Sequence, residues 1–227
     1  MKISLLYLLL LCFTFVQGQV SINNTKMNNN TTAEIPVQLK NTTEIKNFID
    51  TRDNKSYKYG KIGNQIWMLE NLSFNYSGSL IYNDSIKNSK KYGRLYTFEM
   101  ANNCCPVGWR LPSIKEWNEL IEFSGGSNIA AKVLKSTKLW HKSENTGLNI
   151  LRFSVYPGGL FTGKNLSKIG GVDKKYKSLG YAGYFWANDV SLSTNFSKSV
   201  TFFYNQNFIY QSGSDRDSYL SVRCIKQ

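Results

Sequence analysis
The chain has little of what the commonest catalytic and metal centres are built from. One histidine, His141, stands among 227 residues, and the four cysteines contain no Cys-x-x-Cys pair. Structural zinc asks for about four His or Cys ligands at recognisable spacing, so neither a metal nor a cofactor is expected. No serine lies in Gly-x-Ser-x-Gly, and no glycine-rich loop before a helix ends in Lys-Ser or Lys-Thr. Those absences remove the hydrolase nucleophile elbow and the phosphate-binding loop. Acidic residues are scarce too: 15 Asp and Glu face 28 Lys and Arg, for a formal charge of +13. The lysines are scattered, as in "KNSKKYGR" and "VDKKYKS", with no dense basic helix, so nucleic acid is not an expected partner. The charge supports only a soft attraction to anionic glycans or envelope surfaces.

Long apolar runs are also missing, except at the start. "MKISLLYLLLLCFTFVQG" places Lys2 before an apolar core from Ile3 to Val16, with small residues at Val16 and Gly18. This is the pattern of a secretory signal peptide over 1–18, cleaved before Gln19. The run is shorter than the roughly 20 apolar residues of a membrane span. Leu11 precedes Cys12 where a lipid-attachment motif wants a small residue, so the mature chain is expected to carry neither a lipid anchor nor a transmembrane segment. Residues 19–47 form an Asn/Thr/Lys tract without aromatics or glycine, which reads as a disordered linker.

From residue 48 to 227 the aromatic content can fill a core. The turn signals Arg52-Asp53-Asn54 and Gly63-Asn64 frame an opening hairpin, Tyr57 to Ile62 and Gln65 to Met68. "YGRLYTFEMANN" reads as a short helix with Leu95, Phe98 and Met100 inward. The stretch "CCPVGWRLPSIKEWNELIEF" holds the strongest local signal. Pro112 precedes Ser113, which forms a capping box with Glu116, and Ile114, Trp117, Leu120 and Ile121 then recur at helical spacing. A second helix is expected over Asn128 to Leu134. Beyond Trp140 the pattern turns to strands: "LRFSVYPGG", "GYAGYFWAND", "SVTFFYNQNFIYQSG" and "SYLSVRCIKQ", with a hairpin tip at Asn205-Gln206-Asn207. Helices first and strands afterwards indicate an α+β domain.

The blocks "KIGNQIWMLENL", "YGRLYTFEMA", "CPVGWRLPSIKEWNEL", "FSVYPGG", "GYFWAND" and the terminal "SVRCIKQ" together resemble the Fibrobacter succinogenes major paralogous domain, from about Phe48 to the C-terminus. That family in turn resembles, more distantly, the C-type-lectin-like superfamily and relatives of formylglycine-generating enzymes, through Arg-Leu-Pro…Glu-Trp. The resemblance implies a C-type-lectin-like domain of short helices and twisted antiparallel strands, exported to the bacterial surface or secreted. It also implies a disulfide between Cys105 and Cys224, with Cys104 left over. Many members carry cysteines where this chain has Ile81 and Ser89, so the Asp84–Lys91 loop is expected to have lost a disulfide and gained mobility.

The remaining chemistry is sparse. Cys104 and His141 are the only ingredients for a Cys–His pair, and neither sits in a nucleophile motif. Glu116 is accounted for by the capping box, Glu119 and Glu122 by the solvent face of the same helix, and Glu99 is a candidate for partial burial. "FWAND" is similar to the Trp-Asn-Asp element of calcium-dependent lectins, but Ala187 interrupts it and calcium wants 6–8 oxygen ligands. Trp186 therefore reads as core, and Asn188-Asp189 as the start of a turn. Trp109, Leu111 and Trp117 read as packing residues that lock the capped helix onto the sheet, with Arg110 bridging to a carboxylate or to backbone carbonyls.

These readings favour a non-catalytic binding module for a glycan or protein ligand at the cell surface. An enzyme or enzyme-accessory domain and a structural surface protein are the rivals. In C-type-lectin-like folds the loops near the C-terminal strands meet ligands. The resemblance carries that expectation here, and the local sequence offers Tyr204, Asn205, Asn207 and Tyr210 at the hairpin tip and Asp215, Arg216 and Asp217 in the following turn as contact residues, with an ordinary polar turn as the alternative.

Overall fold
The computed structural model describes Leu39 and residues 44–162, 175–190 and 195–227. The expected signal peptide and most of the 19–47 tract lie outside the described residues. Within that tract, Leu39 is fully buried in the core and β1 (Lys46–Asp50) has already begun before residue 48, so packing starts upstream of the expected boundary.

β1 turns through residues 51–54 into β2 (Lys55–Ile62), and β2 turns at Gly63-Asn64 into β3 (Gln65–Met68). Arg52 stabilises the first turn. Its guanidinium donates to both Asp50 carboxylate oxygens at 2.9 and 2.7 Å and to the Cys104 carbonyl at 2.9 Å, and it lies 3.8 Å from the Phe74 ring. At the second turn Gly63 has φ +60°, a conformation glycine adopts freely. Two strands from distant sequence complete this sheet: β4 (Trp109–Arg110) and the C-terminal β10 (Ile225–Lys226), in the order β1-β2-β3-β10-β4. A second antiparallel sheet runs β7-β8-β9 (Ala182–Val190, Phe196–Phe203, Ile209–Asp215), and β5 (Leu160–Phe161) pairs with β6 (Tyr176–Lys177). Helices α1 (Ile86–Tyr92), α2 (Phe98–Asn103), α3 (Ile114–Phe123) and α4 (Ala130–Leu134) all lie between β3 and β7 in sequence, with β4 between α2 and α3. Mixed helices and antiparallel sheets make the domain α+β.

α3 shows why its sequence folds locally. Ser113 Oγ accepts from the Glu116 amide at 3.3 Å, and Glu116 accepts in return from the Ser113 amide at 2.8 Å. Arg110 clamps the same carboxylate with two bonds, at 2.8 and 2.5 Å. Burial pushes the Glu116 pKa up, but the Arg110 and Ser113 hydrogen bonds outweigh it and hold it below the ordinary 4.5. The helix buries Trp117, Leu120 and Ile121, while Glu119 and Glu122 stay exposed. Trp117 sits 5.0 Å from Trp67, 5.7 Å from Phe185 and 5.9 Å from Phe153, so it joins the helix to both large sheets.

Several expectations need correction. Trp109 and Leu111 do not share the Trp117 cluster: they belong to a second core with Trp186, Leu220 and Val222, where Trp109 stacks on Phe48 at 4.8 Å. Asn188-Asp189 does not start a turn. β7 continues to Val190, and Asp189 accepts from the Ile114 amide at 2.6 Å, adding a carboxylate to the positive end of α3. Residues 84–91 are not an open loop, since a 3₁₀ turn (Tyr82–Asp84) leads into α1. Glu99 is exposed, and Leu95 precedes α2, bridging to Leu80 instead. "LRFSVYPGG" forms no strand before β5. Arg152 and Ser154 take positive φ (56° each), and the carbonyls of Phe153 and Ser154 turn toward Arg223.

Arg223 is fully buried. It donates to the carbonyls of Met68 (3.3 Å), Phe153 and Ser154 (3.1 Å) and to Asn71 Oδ1 (2.5 Å), with the Phe153 ring 4.5 Å from its guanidinium carbon. Next to it, Cys224 forms the disulfide with Cys105, across a Cα–Cα distance of 6.0 Å.

Two outcomes are expected from this arrangement. Arg223→Lys keeps the charge but cannot span acceptors on opposite sides, so urea unfolding should show a loss of about 2–4 kcal/mol. A loss below about 0.5 kcal/mol, the range of ordinary surface changes, would show that the fork is dispensable. For Glu116 the sign follows from its lowered pKa: the stability it adds is present above 4.5 and is lost as pH falls through the lower folded value. Glu116→Gln should therefore cost about 1 kcal/mol at neutral pH and flatten the acid limb of the stability profile.

Candidate functional site
The site begins with a buried cation. α4 ends at Lys135, whose side chain turns inward and is 1 % exposed. Its Nζ donates to four carbonyls, those of Asn145 (2.7 Å), Gln206 (3.0 Å), Phe203 (3.2 Å) and Tyr204 (3.3 Å). Burial, and then the nearby Lys132 charge, pull its pKa down to about 8, so the ammonium still holds its proton at neutral pH. The β8–β9 tip is thus tied from below to the 136–145 loop. Ser143 Oγ donates to the Tyr204 carbonyl at 2.7 Å, and Asn145 Nδ2 to the Asn205 carbonyl at 2.7 Å. The Tyr204 amide donates to the Tyr181 carbonyl at 2.8 Å, and the His141 amide to the Gly180 carbonyl at 2.7 Å.

These bonds gather three rings at the surface. His141 stacks on Tyr181 at 4.6 Å and 20°, and Tyr204 stands edge-on to both, at 5.4 and 5.2 Å. Tyr181 is 44 % exposed. On the other flank of the tip, Tyr210 meets Phe208 at 4.5 Å and Phe203 at 5.1 Å. Of the residues expected here, Asn205 and Tyr210 are exposed, and Tyr204 and Asn207 are half-buried.

The second expected group does not join them. Asp215 ends β9 and Arg216 and Asp217 follow it, about 20 Å from the tip at about 3.3 Å per residue. Asp215 is buried, accepting from Asn195 Nδ2 (3.0 Å) and from the Asp217 amide (3.1 Å), and Arg216 donates to Ser197 Oγ at 2.8 Å. These bonds order a turn. Asp217 is exposed.

Nor does the structure assemble a Cys–His pair. Cys104 is buried in the second core, its thiol donating to the Ala101 carbonyl at 3.7 Å, and burial pushes its pKa up to about 12. His141 is exposed beside Tyr181. Glu119 and Glu122 line an open groove of about 520 Å³ with Ile62, Gly63, Gln65 and Phe123. Among the described residues, no three His, Cys, Asp or Glu side chains are grouped as a metal site requires.

Lys135, His141 and Tyr181 join the tip only through the fold. Each lies more than 20 residues from Tyr204, and no local pattern joins them. The odd juxtaposition "KLWHKSEN", a Trp-His step inside a polar loop, was the one visible hint.

Lys135→Met should leave those carbonyls without their common donor. The expected result is a loss of about 2–4 kcal/mol together with faster amide exchange over residues 203–207, and unchanged exchange there would show that the tip holds itself.

The family described as the Fibrobacter succinogenes major domain matches residues 61–226, a span holding the α3 capping box, both disulfide cysteines, Lys135 and the tip. No curated protein and no solved structure matches the chain. With that span covering well over half of its length, the chain is a member of the Fibrobacter succinogenes major domain family.

Proposed function
We propose that the protein is an exported, non-catalytic binding module that holds a glycan at the β8–β9 tip. The observation that carries this reading is the His141–Tyr181–Tyr204 cluster, solvent-facing yet fixed from below by Lys135. An exposed tyrosine ring offers a flat apolar face with few rotamers to freeze. The Asn205 side chain beside it can bond hydroxyl groups, so face and rim together suit a sugar ring. The disulfide suits an oxidising compartment, and the leader-like first 18 residues agree with export. No described helix is long and apolar enough to cross a membrane. We read the α+β arrangement, with contact loops at the C-terminal hairpin, as a C-type-lectin-like design.

A glycan array probed with protein starting at Gln19 tests this. Tyr181→Ala with Tyr204→Ala should weaken binding about tenfold or more with little change in melting temperature, while Asp217→Ala at the far end of β9 should bind like wild type. Wild-type binding by the tip variant would overturn the reading, as would binding only to protein ligands.

A further inference from the structure
Among the described residues, β9 is the end strand of its sheet. Its register with β8 is unbroken from Phe196↔Asp215 to Phe202↔Ile209. Among the described residues, the backbone hydrogen bonds of 209–214 go to β8 alone, and residues 210–213 are exposed. Every second residue of such a strand turns its N–H and C=O outward. Sheet edges are normally guarded by lysine, proline or a bulge, yet Ile209-Tyr210-Gln211-Ser212-Gly213-Ser214 has no charge, no proline and no register shift. Apolar rings flank it instead: Phe196, Phe208 and Tyr210 are each about two-fifths exposed.

Gly213 opens a notch in this edge. Its register partner on β8 is Lys198, which is exposed, and a Cβ at Gly213 would stand 3.4 Å from Phe196. A side chain arriving beside Gly213 would therefore meet the Phe196 ring and the Lys198 ammonium on the same face. We propose that the outer edge of β9 is a docking edge for an extended acidic peptide strand, which adds as a fourth strand and sets a carboxylate against Lys198. The chain's charge of +13 favours an acidic partner and disfavours a second copy, and 209–214 itself has no carboxylate to offer Lys198. This inference does not depend on glycan binding at the tip.

The test selects a phage-displayed random dodecapeptide library on the wild-type protein and follows the best synthetic peptide by hydrogen exchange. Enriched peptides should alternate apolar residues with Asp or Glu and slow amide exchange within 209–214. Lys198→Glu, a surface change, should weaken the peptide by about tenfold or more, and Gly213→Val should weaken it by filling the notch. No enrichment, protection confined to another surface, or full affinity in Lys198→Glu would overturn the proposal. A dimer by light scattering with β9 already protected before peptide is added would overturn it in favour of self-pairing.

Discussion
The fold depends on one C-terminal segment being held inside it. Residues 219–227 exchange backbone bonds with Phe161, Tyr96, Tyr184, Leu72, Met68 and Gly108, so nearly every layer is tied to the last few residues of the chain. Two side chains fix that segment. The Cys105–Cys224 bridge closes a loop of 119 residues, which restricts the unfolded chain most when loops are long. Arg223 acts on the folded side. A buried guanidinium is unfavourable unless its donors are satisfied, and here backbone carbonyls satisfy most of them. Residues 150–158 are irregular for this reason: a ladder would spend the Phe153 and Ser154 carbonyls on a neighbouring strand, whereas the structure gives them to Arg223.

Lys135 repeats the same solution beneath the β8–β9 tip, holding four carbonyls of two loops. Several of the few carboxylates are used elsewhere, at turns and at a helix end. Asp50 braces a turn through Arg52, Glu116 and Asp189 cap α3, and Asp215 orders the turn after β9. Basic side chains outnumber the 15 acids by 13, so the excess positive charge has no carboxylate to match it.

What could be read from sequence was what is local. The β2–β3 hairpin and the Ser113–Glu116 box depend on residues within a few positions of each other, and both stand where the pattern put them. The disulfide came from family resemblance, not from spacing. What could not be read is long-range. Arg223 in "SVRC" alternates like an ordinary strand residue, and Lys135 looks like a basic helix end; only the fold shows that both point inward. Asp189 reads as a turn residue until Ile114 arrives from 75 positions away. For the candidate site, the tip was legible because a polar triplet between aromatic runs marks a hairpin. Asp215–Asp217, expected in the following turn, stand apart from the tip because the length of β9 lies between them.

That separation bears on how the surface can work. The field of a +13 chain is screened within about 8–10 Å in physiological salt, so it can draw an anionic partner close but cannot choose where it lands. Selection must come from fixed geometry. At the tip, Lys135 and the Ser143 and Asn145 side chains already hold the backbone that carries Tyr204, so little ordering is left for a ligand to impose. At the β9 edge the ladder to β8 has done the same for a row of outward amides and carbonyls. At both surfaces hydrogen bonds beneath or beside the exposed rings hold the backbone in place, so under the proposed readings a change to those buried groups should alter recognition without touching a contact residue.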